Sequence, residues 1–115
     1  MPIDEKYIEF LKEKREFLLN WRDYLGKIKQ AVKELLPDAE VFVFGSILKE
    51  WYGGSDVDIL VVSNLIPEKL TERSEMKVDI YEKAGLPFYH PFEIHLVNEK
   101  EQEWYKRHID KIQKI

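Results

Sequence analysis

Apolar residues recur every seven positions along the first third of the chain: Leu11, Leu18, Leu25 and Val32 form one series, and Tyr7, Trp21, Ile28 and Leu35 another. That spacing keeps a stripe on one helical face, so residues from about Asp4 to Leu36 read as helix. As one rod it would be roughly 50 Å long at ~1.5 Å per residue. That exceeds the width of a domain of 115 residues, and a break is expected. Asn20, with Asp23 three positions on, has the pattern of an N-cap followed by an acidic N3, which starts a second helix there; Gly26 is a weaker place for the break. The stripe serves either as an ordinary core face or as a surface for a partner helix.

Beyond Pro37-Asp38 the period changes. Glu40-Val41-Phe42-Val43-Phe44 is a β-branched and aromatic run that reads as a strand entering Gly45-Ser46. Ile47 to Tyr52 reads as a short helix or turn, broken by Gly53-Gly54-Ser55, and Asp56 to Val62 as a second strand whose latter half is apolar enough for burial on both faces. A helix is expected from Glu68 to Ala84, stopped by Gly85 and Pro87. Phe92 to Val97 alternates as a third strand, and a last helix is expected from Glu99 to Ile112, with Trp104, His108, Ile109 and Ile112 sharing a face. The order helix, helix, strand, short helix, strand, helix, strand, helix predicts a two-layer α/β domain.

Composition narrows the function classes. With 18 Lys+Arg against 22 Asp+Glu the net charge is −4, which argues against nonspecific nucleic-acid binding, since that depends on clustered cations. Zero cysteines remove disulfides, thiolate metal sites and cysteine nucleophiles. No apolar run approaches a membrane span and the N-terminus lacks the basic and apolar regions of a signal peptide, so a cytoplasmic protein with no membrane partner is expected. An anionic ligand would need a metal or a local basic site.

Asp56 and Asp58, two apart at a strand start, place two carboxylates on one face about 6.6 Å apart, close enough to hold a divalent cation. Such a pair alone arises easily by chance. The Gly45-Ser46 pair at the end of the preceding strand raises its meaning: a glycine lets the backbone approach a phosphate, the serine hydroxyl and the N–H groups of the following turn can donate to its oxygens, and facing carboxylates supply a metal. Glu93 and His95 share one face of the third strand. Glu93 there is either beside a metal or facing water. His95 could orient a carboxylate, bind a phosphate or assist proton transfer, against a plain structural role. Lys49 and Ser55 are further candidates for phosphate contact. Trp51 and Tyr52 could stack on a base or pack under the short helix, and Lys77, Lys83 and the Lys106-Arg107-His108 stretch read as solvated charge.

Gly45-Ser46-x9-Asp56-x-Asp58, following the strand VFVF, resembles the signature of the DNA polymerase β-like nucleotidyltransferase superfamily. At this length the chain is most similar to the minimal nucleotidyltransferases of prokaryotes, often paired with a HEPN-domain protein. The resemblance implies a mixed β-sheet packed on helices, with residues 1–19 as a helical extension and 20–115 as the catalytic core of a single domain. It also implies Gly45 and Ser46 at the nucleotide phosphates, Asp56 and Asp58 at Mg²⁺ or Mn²⁺, and a third carboxylate, which falls on Glu93 where the family more often has Asp. The expected activity is metal-dependent transfer of AMP from ATP to a hydroxyl, with a HEPN-domain toxin as acceptor and an antitoxin role by AMPylation. The alternative is a non-catalytic antitoxin or regulatory subunit that neutralises a partner by binding, and a homo-oligomer is possible in either case. Transfer to a small molecule or an RNA 3′ end fits less well with an acidic chain that has no room for an acceptor domain.

Overall fold

The computed structural model describes residues 4–49 and 56–115. Helix α1 (Glu5–Leu19) opens on Asp4, whose carboxylate accepts the Lys6 N–H at 3.0 Å, and α2 (Trp21–Leu35) follows after one residue. The break falls at Asn20, as expected, but the side chain acts in the opposite sense. Asn20 Nδ2 donates back to Glu16 O at 3.1 Å, so the amide closes α1 and makes no side-chain cap to α2. Gly26 lies within α2. Splitting the rod also splits the seven-residue stripe: Leu18, Trp21, Ile28 and Val32 are buried, while Tyr7 and Leu11 are 56% and 45% exposed. The core face belongs to α2 and the last turn of α1.

Four strands form one mixed sheet in the order β3-β2-β1-β4. β1 (Glu40–Phe44) runs antiparallel to β2 (Val57–Val62), and β2 runs parallel to β3 (Phe92–Val97). A 3₁₀ turn (Ser46–Lys49) follows β1, and α3 (Leu70–Lys83) makes the crossover that a parallel β2–β3 pair requires. The period-2 alternation sorts side chains onto two faces. Val41, Val43, Val57, Ile59, Val61, Phe92, Ile94 and Leu96 join the main core with residues of α2 and α3. The opposite face carries Leu60, Val62 and Val97, covered by Phe42, Phe44 and Tyr105 of α4 (Glu99–His108). The result is the α+β architecture expected from the sequence, with helices on a mixed sheet. No helix among the described residues is long and apolar enough to cross a membrane.

An edge strand leaves a row of backbone groups to be satisfied, and β3 meets this with side chains of α3. The Tyr81 hydroxyl donates to Phe92 O at 3.0 Å and accepts the Ile94 N–H at 3.1 Å, and Arg73 Nη1 donates to Leu96 O at 3.1 Å. Burial, with the Glu93 and Asp56 charges, pushes the Tyr81 phenol up, so it stays the neutral O–H this bridge requires. Arg73 also donates to Pro67 O at 2.6 Å and makes a two-pronged pair with Glu101 at 2.9 Å on each prong. One part-buried guanidinium therefore ties α3, the end of β3 and the start of α4.

The far edge departs from expectation. The last helix stops at His108 instead of Ile112: Ile109 is extended (φ −109°, ψ 124°), and Ile112–Lys114 form β4, antiparallel to β1 with Phe42 opposite Lys114 and Phe44 opposite Ile112. The face assigned to Trp104, His108, Ile109 and Ile112 does not exist, and Trp104 is 57% exposed. The physical reason is the open edge of β1. Its hydrogen-bonding groups need a partner that a longer α4 would not supply.

The Arg73–Glu101 pair gives the fold a testable pH dependence. Hydrogen bonds from Arg73 hold the Glu101 carboxyl below its ordinary range. A carboxyl depressed in the folded state adds stability above its unfolded pKa of about 4.3, and this is lost as the pH falls through the folded value. Glu101→Gln keeps an acceptor for the Asn98 N–H of the capping box and removes the charge. Thermal melts should show a lower Tm for Glu101→Gln at pH 7, with the gap to wild type closing below about pH 4. A gap independent of pH would contradict this role.

Candidate metal and nucleotide site

The parallel register sets Asp58 directly opposite Glu93, with His95 two residues further along β3 on the same face. Their ligand atoms, two carboxylate oxygens and an imidazole nitrogen, lie within 4.8 Å of one another. His95 Nε2 is 3.2 Å from Asp58 Oδ1, and His95 Nδ1 is 3.5 Å from the Tyr105 hydroxyl. The ring lies between Phe44 (centroids 5.2 Å apart) and Tyr105 (5.9 Å). Burial, and then the charges of Glu101, Asp58 and Glu93, push the Tyr105 phenol up, so it faces His95 as a neutral O–H. Asp58 and His95 are each about one-quarter exposed and Glu93 is exposed, which leaves this end of the face open to a ligand.

Gly45 ends β1 at φ +89°, a conformation that favours glycine, and a Cβ there would lie 2.8 Å from Asp58 Oδ2. The glycine thus permits both the turn and the close passage of the chain beside the carboxylate. Ser46 opens the 3₁₀ turn, with the Leu48 N–H donating to Gly45 O at 3.2 Å. Gly45 and Ser46 border a hollow of about 310 Å³ whose other wall is His108, Ile109, Asp110 and Lys111. A second hollow of about 340 Å³ lies along the outer side of β3, bordered by Arg73, Ser74, Lys77, His95 and Tyr105.

The structure gathers Gly45, Ser46, Asp58 and Glu93 of the sequence-predicted residues. Asp56 is exposed, just ahead of the first hydrogen-bonded residue of β2, and stands outside the three-residue ligand group. Its charge is felt instead at Tyr81 and at His90, whose ring burial holds neutral while Nδ1 accepts the Phe92 N–H at 3.1 Å. Lys49 ends the 3₁₀ turn, and Trp51, Tyr52 and Ser55 lie outside the described residues. Sequence reasoning placed His95 on the right face without giving it a ligand position. It missed Lys111 at the hollow beside Gly45 and Ser46, because reading residues 99–112 as helix hid the turn that carries Lys111 back to Gly45.

Two carboxylates and an imidazole form a donor set that suits a divalent cation. Bonds of about 2.1 Å at right angles put neighbouring donors about 3 Å apart, close to the His95–Asp58 separation. With the glycine–serine turn beside it, this arrangement has the donors suited to a divalent cation next to a turn suited to a phosphate-bearing ligand.

Comparison with known proteins narrows that class. Residues 25–115 match the nucleotidyltransferase domain family. A solved structure assigned as a nucleotidyltransferase superposes with a TM-score of 0.64 at 31% identity, covering 79% of this chain and 96% of the other. A second, from Sulfolobus solfataricus, shares the fold at a TM-score of 0.57 and 19% identity, covering 99% of this chain and 89% of the other. Poly(A) RNA polymerase protein 2 of Saccharomyces cerevisiae is 37% identical over 60 residues, 51% of this chain but about a tenth of that protein's length. The chain belongs to the nucleotidyltransferase domain family, and the chemistry of its class is nucleotidyl transfer.

Gly45→Ala tests the local construction. A methyl group there strains the backbone and displaces the Asp58 carboxylate, so we expect a stability loss of about 1–2 kcal/mol and a fall in divalent-cation affinity of about tenfold or more. Titration of the folded variant with Mn²⁺ checks this; an unchanged affinity would separate Gly45 from the site.

Proposed function

We propose that the chain transfers AMP from ATP to an acceptor hydroxyl, acting in the cytoplasm on a HEPN-domain partner protein. The observation that carries this reading is the adjacency of Gly45 to Asp58, which gives the phosphate-binding turn and the metal-binding carboxylate a common wall. Asp58 and Glu93 would hold Mg²⁺ or Mn²⁺, with Asp56 at the strand entrance as a further carboxylate. When bound, the cation neutralises phosphate charge and lowers the pKa of the acceptor hydroxyl.

The chain's own residues do the rest. The Gly45 backbone allows close approach of the triphosphate, the Ser46 hydroxyl donates to a phosphate oxygen, and Lys111 on the opposite wall of the hollow offsets its charge. Phosphoryl transfer depends mainly on positioning and charge stabilisation, so few groups suffice. The acceptor oxygen bonds to the α-phosphorus while the bond to the bridging oxygen breaks. Pyrophosphate leaves with that electron pair, and the hydroxyl proton passes to the Glu93 carboxylate. The hollow beside His95 offers room for an acceptor.

A second reading, a binding antitoxin without turnover, is supported by the apolar side of α1, where Tyr7, Ile8, Leu11 and Leu19 are exposed. Incubation with ATP labelled on the α-phosphate, a divalent cation and the candidate partner distinguishes the two. Label on a partner hydroxyl, lost with Asp58→Asn, is the expected outcome for the enzyme. Neutralisation of the partner that persists in Asp58→Asn with no label transferred would establish the binding role instead.

A further inference from the structure

We propose that His95 is a direct ligand of the cation held by Asp58 and Glu93, and that its imidazole biases the site toward a first-row transition ion such as Mn²⁺ over Mg²⁺. The inference rests on the reading of this cluster as a metal site. It goes further by assigning a nitrogen donor and an ion preference.

Geometry supports it in three ways. His95 Nε2 stands 3.2 Å from Asp58 Oδ1, the spacing of neighbouring donors around one small cation. The opposite ring nitrogen faces the Tyr105 hydroxyl at 3.5 Å, so Nδ1–H can donate there and leave the Nε2 lone pair toward the carboxylates. A metal-binding histidine is commonly held by such a partner on its other nitrogen. Phe44 and Tyr105 flank the ring and restrict its orientation. Imidazole is a softer donor than carboxylate or water, and among divalent ions it favours the transition metals over Mg²⁺. Were His95 only a hydrogen-bond partner orienting Asp58, the metal would see oxygen ligands alone and the preference would be absent.

The test uses the intact chain and Mn²⁺ alone, without nucleotide, so that the only nitrogen donors belong to the protein. Pulsed electron paramagnetic resonance of the bound ion should show coupling to an imidazole ¹⁴N in wild type and in His108→Ala, and none in His95→Asp. In competition titrations the ratio of Mn²⁺ to Mg²⁺ affinity should fall about tenfold or more in His95→Asp, whose oxygen-only set still binds Mg²⁺. Tyr105→Phe keeps the imidazole and should retain the nitrogen coupling with weakened affinity. Mn²⁺ bound in an Asp58-dependent way but without nitrogen coupling, or with an unchanged ratio in His95→Asp, would overturn the role of His95 and leave the metal site standing. No Asp58-dependent binding of either ion would overturn the metal site itself, and this inference with it.

Discussion

A slip of one residue in the parallel pairing of β2 with β3 would carry Asp58, Glu93 or His95 to the wrong face of the sheet, so the site depends first on that register. Register is fixed by burial. Val57, Ile59, Val61 and Ile94 are fully enclosed on the helix-covered face, and moving any of them to the open face would expose apolar surface and bury carboxylates. The antiparallel pairing of β1 with β2 is secured from the end remote from the site. Asp38 accepts the Ser63 hydroxyl at 2.6 Å and the Asn64 N–H at 2.8 Å, tying the entry of β1 to the exit of β2, and these bonds hold its carboxyl below the usual range. With both pairings fixed, β1 delivers Gly45 to the flank of Asp58.

The sheet is covered asymmetrically, and the candidate site lies on the less covered face. One face is sealed by α2 and α3, while the other is closed only over Leu60, Val62 and Val97 by Tyr105 and the aromatics of β1. Towards the start of β2 and β3 the same face is open among the described residues, and there the apolar residues give way to Asp58 and Glu93. Tyr105 spans the two regions, packing against the smaller core with its ring and meeting His95 with its hydroxyl. The smaller core and the candidate site therefore meet at one side chain, and α4, anchored through the Arg73–Glu101 pair, sets where it stands.

Much of this was legible in the sequence where a local rule and the tertiary structure agree. The alternation of Phe92 to Val97 located β3, because one of its faces is buried throughout. The Gly45-Ser46 pair with Asp58 pointed to the candidate site, because a glycine at positive φ and a strand-borne carboxylate leave a pattern in the chain itself. What escaped depends on partners distant in sequence. β4 is three exposed residues without apolar alternation, and only the open edge of β1 makes them a strand. Asp56 and Asp58 have the spacing of a facing pair, but Asp56 precedes the hydrogen-bonded ladder and strand geometry does not govern it. The nitrogen of His95 joins the carboxylates only through the β2–β3 pairing.

The central claim is that the Gly45-Ser46 turn and the strand carboxylates form one metal-dependent nucleotide site. Calorimetric titration with ATP, in the presence of Mg²⁺ or Mn²⁺ and again in chelator, tests it most directly when run beside the Asp56→Asn/Asp58→Asn double variant. The account predicts saturable binding by the wild-type chain that requires the divalent ion and is lost in the folded variant. ATP binding of equal strength in chelator, or retained in the variant, would contradict it.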